Sequence, residues 1–139
     1  MAKPIAPTQG IAFAFPDVCK TPAPPGPPVP IPYPNIAQLD QATGVTDVSG
    51  KEVLVGPASL HVLLLNSIVD TTTGNEAGSA GGVISPTIKG PCTITQASTT
   101  VIYGPSQLGV ARFMDPTQQN GNNANGFVLA AFPTVLVGD

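Results

Sequence analysis

Charge is what this sequence has least of. Charged residues make up 9% of its 139 positions, where an average soluble domain carries about 25%, so Ser, Thr, Asn, Gln and Pro must cover the surface. Such a surface keeps copies apart weakly, which implies that part of it rests against a partner. Five basic residues stand against eight acidic ones, for a net charge of -3. That leaves no basic field to gather phosphates and argues against nucleic-acid binding or an anionic membrane surface. Long apolar runs are absent too. Ile11–Phe15 is stopped by Pro16, too short for a signal-peptide core, and Phe127–Val137 is broken by Pro133 and Thr134, short of a membrane span. Synthesis in the cytoplasm without a signal peptide is the expectation. With only two cysteines, Cys19 and Cys92, a reducing compartment favours two thiols or two metal ligands over a lone disulfide.

Helix-forming signals are equally scarce. Seventeen prolines and fifteen glycines are spread along the chain, and its only glutamates are Glu52 and Glu76. Leu60–Val69 reads as a short helix or a buried strand with equal ease. Elsewhere β-branched runs ended by glycine, in KEVLVG, TTVIYG and PTVLVG, and the loose alternation of CTITQASTTVIY indicate strands. The length suits one domain, residues 1–139, with an all-β core.

What the chain does contain is a repeat. VLVGPASL, Val53–Leu60, returns as VIYGPSQL, Val101–Leu108, and a truncated third copy, VLVG, runs from Val135 to Gly138. Three apolar residues followed by Gly-Pro describe a strand entering a tight turn, where glycine supplies unusual backbone angles and proline fixes the next φ. Unequal spacing excludes a regular solenoid and points to a compact β unit with approximate internal symmetry.

Proline is concentrated in PAPPGPPVPIPYPN, where eight of fourteen residues are proline. Val29, Ile31 and Tyr33 alternate with prolines, so one side of an extended strand carries apolar groups. Lacking N–H donors, such a strand belongs at a sheet edge or wraps its outside as a stiff strap.

Catalytic patterns are thin. His61 is the only histidine, and Ser59 and Asp70 near it lack a nucleophile elbow. GNEAGSAGGVIS, residues 74–85, lacks the Lys-Ser/Thr end of a phosphate loop, so a tight loop is expected; no carboxylate partner for Glu76 is identifiable. NGNNANG, residues 120–126, reads as a solvated turn. Cys19, His61 and Cys92 form a candidate zinc set without C-x-x-C spacing, and only Asp17 or Asp70 offers itself as a fourth ligand.

FPDVCKTPAPPGPPVPIPYPN, Phe15–Asn35, resembles the signature of the PAAR-like proteins of the PIPY type, here Pro30, Ile31, Pro32 and Tyr33. The likeness continues through GNEAGSAGGVIS and VARFMDPTQQN, with Arg112, Asp115, Thr117 and Asn120 in the expected order. It implies a small conical β structure with three similar hairpin units and few or no helices. Such a structure caps a trimeric β-helical spike of a contractile injection system, type VI secretion or a phage-tail-like particle, one tip chain per trimer. It also implies no enzymatic activity, assembly in the cytoplasm, and export or injection at the particle tip with transient membrane contact; because the repeat-bearing region runs to Asp139, a bare tip that at most docks effector cargo in trans is the expectation. Many relatives hold zinc with three histidines and one cysteine, a pattern from which one histidine and two cysteines depart. Two other readings compete: an enzyme using Cys19 or Cys92 as nucleophile with His61 as base, and a binding module presenting its proline strap to a peptide-recognition domain.

Overall fold

The computed structural model describes residues 2–45 and 53–138; Lys51 and Glu52 of the KEVLVG run, and the terminal residues of the 1–139 span, lie outside them. Among the described residues there are twelve β-strands and a single 3-10 turn, Leu39–Gln41. The strands are β1 (Lys3–Ile5), β2 (Ile11–Thr21), β3 (Val29–Gln38), β4 (Leu54–Val55), β5 (Leu60–His61) and β6 (Ile68–Val69). They continue as β7 (Cys92–Ile94), β8 (Ile102–Tyr103), β9 (Leu108–Gly109), β10 (Pro116–Gln119), β11 (Ala124–Val128) and β12 (Phe132–Val137). The fold is all-β, and the ambiguous stretch Leu60–Val69 resolves as strands.

The repeat becomes three hairpins. In β4–β5, Leu54 pairs with His61 and Val55 with Leu60; in β8–β9, Ile102 pairs with Gly109 and Tyr103 with Leu108. Their turns are near copies. Gly56 and Gly104 sit at φ of 79° and 76°, and Ser59 and Gln107 both at 53°. The amide of Ser59 donates to Gly56 O at 3.1 Å and that of Gln107 to Gly104 O at 3.0 Å. The third copy, VLVG, lies in β12 and pairs with the opposite end of the chain, Leu136 with Pro4 and Val137 with Lys3. A register shift then moves the next partner of Ile5 to Phe132.

Beyond each hairpin the chain runs into a triangle of backbone bonds. The amide of Leu63 donates to Ala6 O at 3.0 Å, that of Ala111 to Leu63 O at 2.9 Å, and that of Ala6 to Ala111 O at 3.1 Å. Two residues further on, Thr8 N reaches His61 O, Leu65 N reaches Gly109 O, and Phe113 N reaches Pro4 O, at 2.8 to 2.9 Å. The bridges Pro7–Val62, Leu64–Val110 and Arg112–Ile5 repeat the same rule. Every bond maps onto the next under a cyclic exchange of residues 4–8, 61–65 and 109–113, so three segments of one chain close a ring with threefold pseudosymmetry. Each segment satisfies its backbone groups on both flanks, which removes the free edges a three-stranded ribbon would expose.

Strand alternation sends successive side chains to opposite faces of this ring. Ile5, Val62, Val110 and Leu64 enter one apolar cluster with Val55 and Val137, walled by Val53, Leu60, Tyr103, Leu108, Phe132 and Val135 of the hairpins. Ala6, Leu63 and Ala111 enter the other, with Ala12, Leu39, Val69, Cys92, Ile94 and Val128. Fully burying a Val, Leu or Ile side chain among them stabilises by about 1.5–3 kcal/mol.

Strands β2, β6 and β10 begin at Ile11, Ile68 and Pro116, each five residues beyond its ring residue, and pair with β3, β7 and β11 in turn. Together they form a six-stranded sheet in the order β3-β2-β11-β10-β7-β6. The bridges Thr43–Ile68 and Ile36–Thr73 join its last strand back to its first. Four strands repeated three times account for all twelve, with one unit cut between β12 and β1. At the turn after each ring strand, Leu64 N donates to Ser67 Oγ at 2.9 Å and Arg112 N to Asp115 Oδ2 at 2.8 Å. The third equivalent needs no such bond because Pro7 has no N–H.

The cut unit is clamped by the neighbouring β8–β11 unit. Arg112 takes the place of Leu64 and donates through Nε and Nη2 to the two oxygens of buried Asp115 at 3.1 and 3.0 Å, and through Nη1 to Gly138 O at 3.2 Å. Lys3 Nζ meets Asp115 Oδ1 at 3.4 Å. One bidentate ion pair therefore reaches both strands of the hairpin that has no turn.

Candidate functional site

Each hairpin has one strand facing the ring and one outer strand. Among the described residues the outer strands β4, β8 and β12 each pair with a single neighbour, which leaves the other edge of each without a ladder partner there. Their outward residues at equivalent positions are Leu54, Ile102 and Leu136, apolar in all three and 45, 46 and 62% exposed. Three large aliphatic groups therefore stand exposed at matched places around a pseudo-threefold ring.

A second constellation is polar and buried. β2 bulges between Ala14 and Asp17, and the Asp17 side chain turns into the protein, fully buried. There it accepts from four amides. Asn35 and Asn75 donate from Nδ2 to Oδ2 at 3.1 and 2.6 Å. Asn120 donates to Oδ1 at 3.3 Å, and Asn123 donates to the same oxygen. Cys19 Sγ lies 3.6 Å from Oδ1. The orientation of each amide is set by what its oxygen accepts. Asn75 Oδ1 takes Lys89 N at 3.1 Å, Asn120 Oδ1 takes Gly90 N at 2.8 Å, and Asn123 Oδ1 takes Ile84 N and Ser85 N at 2.8 and 3.1 Å. Asn35 Oδ1 takes Gln119 Nε2 at 2.8 Å. A flipped amide would turn its Nδ2 toward these N–H groups and its oxygen toward the carboxylate, setting donor against donor and acceptor against acceptor, so all four Nδ2 atoms face the carboxylate.

The solvated turn expected over residues 120–126 is therefore corrected: Asn120 and Asn123 are buried. The loop at 74–85 does turn tightly, with Gly74 and Gly81 at φ of 113° and 95°, but its Asn75 was read only as loop. Sequence offers one signal for this network: five asparagines in 75–125 within a charge-poor chain. It does not say which of them point inward.

Cys19, His61 and Cys92 occupy different surroundings. Cys19 stands in the amide network, Cys92 packs in the apolar cluster below the ring, and half-buried His61 lies in β5. Both cysteines are free and buried. Among the described residues no three His, Cys, Asp or Glu side chains form a group able to hold a metal ion, so the structure does not bring Cys19, His61 and Cys92, with Asp17 or Asp70, together into one. N–H donors crowd Asp17 and disfavour a cation beside it.

Burial pushes the Cys92 thiol from its ordinary 9.0 up to about 12, with a bond to Thr117 acting the other way. Burial, then the charge of Asp17 and the bond to it, raise Cys19 to about 11 against a smaller opposing effect of Asn75. Thiols held protonated are poor nucleophiles, which argues against a cysteine nucleophile at either position. Both groups bind their protons more tightly folded than unfolded. Their contribution to stability is full below pH 9 and is lost as pH rises through 11 and 12. Thermal unfolding should show a melting temperature falling from about pH 9 upward, with a shallower fall in Cys92→Ala.

The proline strap is a ladder strand: Thr21, Lys20, Cys19, Val18 and Asp17 of β2 pair with Val29, Pro30, Ile31, Pro32 and Tyr33 of β3. Thr21 Oγ1 and Tyr33 Oη lie 2.6 Å apart. Val29 and Ile31 stay exposed, because this end of the hairpin reaches past the rest of the sheet.

Residues 10–126 match a family model described as the toxin PAAR-like domain. No curated protein and no solved structure matches the chain. Among the described residues no helix is long and apolar enough to cross a membrane.

Proposed function

The chain belongs to the toxin PAAR-like domain family, and from that premise we propose that it caps the end of a trimeric β-helical spike in a contractile secretion or injection system, one chain per trimer. The observation that carries this reading is the cyclic hydrogen-bond triangle of Ala6, Leu63 and Ala111. A single chain that presents three equivalent faces can meet three identical chains with the same contacts at each, which an asymmetric domain cannot do.

The docking surface in this reading is the set of free edges of β4, β8 and β12 with Leu54, Ile102 and Leu136. Strands at the end of a spike carry unpaired N–H and C=O groups, and three edges supplied in threefold register can continue their ladders. Apolar side chains beside them leave water at about 25 cal/mol per Å2. The subunit's task is mechanical: it closes an exposed sheet end and supplies a short-turned, charge-poor front for transient membrane contact, where few charges lower the desolvation cost. Effector docking in trans and assignment to the PIPY type through Pro30, Ile31, Pro32 and Tyr33 belong to the same proposal. The family likeness favours this structural role over catalysis. The pairing of β3 with β2 supports a built strand rather than a free proline ligand.

The test uses a purified spike trimer. Leu54→Asp, Ile102→Asp and Leu136→Asp should each weaken binding by a similar factor, on the order of tenfold, and the triple variant by over about 100-fold with folding retained. Unchanged affinity of the triple variant, or three tip chains per trimer, would overturn the proposal.

A further inference from the structure

We propose that the four amides around Asp17 form an internal carboxylate-binding site, and that Asp17 is its built-in ligand, tying the three repeat units to one another. The donors come from all three. Asp17 and Asn35 belong to β2 and β3 of the first unit, Asn75 to the connection between β6 and β7 of the second, and Asn120 and Asn123 to the turn between β10 and β11 of the third. These segments differ in length and sequence, so the backbone symmetry that joins the units at the ring does not extend to them. A single acceptor-only group with about four lone-pair sites can join them instead.

The site is preorganised without its ligand. Gly90, Lys89, Ile84 and Ser85 hold the asparagine oxygens through backbone N–H groups, and Thr72 takes a second bond from Asn35 Nδ2 at 2.9 Å while donating to Gly90 O at 2.7 Å. Removing the carboxylate would leave buried donors aimed at an empty space, a costly arrangement that a small carboxylate of the same shape would relieve. The chemistry selected is planar, anionic and acceptor-only. A metal cation is excluded by the same N–H groups. This inference stands apart from the spike reading, since it concerns the isolated protein.

The experiment is chemical rescue read by thermal unfolding. Asp17→Ala should lower the melting temperature by roughly 10 °C. Saturating sodium formate should then raise it by at least about 5 °C, while leaving the wild-type protein unchanged. Sodium chloride at the same ionic strength should not substitute. Adding Asn123→Ala to Asp17→Ala should abolish the formate effect. If Asp17→Ala does not fold alone, refolding yield with and without formate reads the same property: formate-dependent folding supports the site, and equal failure in both overturns it. A folded Asp17→Ala protein indifferent to formate, or stabilisation of the wild type by zinc that is lost in Asp17→Ala, would also overturn it.

Discussion

Deleting residues 132–139 should abolish cooperative folding rather than trim an end. The deletion removes β12, and with it Phe132, Val135 and Val137 from the apolar cluster on the hairpin side of the ring. It also strips Lys3 and Pro4 of their pairing partners and Arg112 of Gly138 O. Val137 is buried and Phe132 and Val135 partly so; full burial is worth about 1.5–3 kcal/mol per side chain, so their loss, together with the lost pairing, is a large share of a domain stability of about 5–15 kcal/mol. The expected result is a circular-dichroism melt without a transition. The same segment should tolerate relocation. If the chain ends are joined directly, Asp139, Met1 and Ala2 stand between Gly138 and Lys3, as Pro57, Ala58 and Ser59 stand between Gly56 and Leu60. A permutant opened between Gly56 and Pro57 and joined in this way should fold cooperatively. A truncated protein melting within about 2 °C of the intact one, or a permutant that fails to fold, would refute closure of the third hairpin by the two chain ends.

The second large effect is expected at Gly126, where β11 crosses β2. A Cβ built there meets the Phe13 carbonyl oxygen, as well as Ala14 Cα and Cβ at 2.7 Å each. Two of these three are backbone atoms, so no side-chain rotation relieves the overlap. The strands must part along the Gly126–Ala14, Phe127–Phe13 and Val128–Ala12 pairs, and these pairs are the contact between the first and third units in the six-stranded sheet. Gly126→Ala should cost over about 3 kcal/mol, beyond the 1–3 kcal/mol of ordinary overpacking, and appear as a melting temperature lower by roughly 10 °C. Gly26, whose Cβ would approach only Ala23 O at 3.6 Å, is the control: Gly26→Ala should change stability little. Equal effects at both sites would show that β2 can shift away from β11 without loss.

Local sequence made much of this legible, because a strand-turn unit is specified by neighbours in the chain. Val-Leu-Val-Gly-Pro and Val-Ile-Tyr-Gly-Pro predict their hairpins since β-branched residues favour extended backbone and Gly-Pro enforces the bend. The third VLVG was recognisable as a copy, but its partner was not: Lys3 and Pro4 lie more than 130 residues away, and neither carries the pattern of the other inner strands. The proline strap was correctly placed as an extended strand, whereas its pairing with β2 depends on Pro30 and Pro32 turning their missing donors away from the ladder.

The polar network shows the opposite case. Asparagine serves equally as a turn residue in water and as a donor to a buried carboxylate; the motif order singles out Asn120 but does not say which way its side chain points. Cys19, His61 and Cys92 pose a related difficulty: residue types suited to a metal do not reveal whether their segments converge.

By itself, then, the amino-acid order determined an all-β chain of repeated hairpins, with few charges, few catalytic groups and a family-like motif order. Those properties follow from backbone preference and composition, which act over a few residues. Only the tertiary structure decided that the ends of the chain complete a third hairpin, that Ala6, Leu63 and Ala111 close a triangle, and that Asp17 collects amides from every unit. Each of those depends on hydrogen bonds between segments far apart in sequence, whose geometry exists only once the chain has closed on itself.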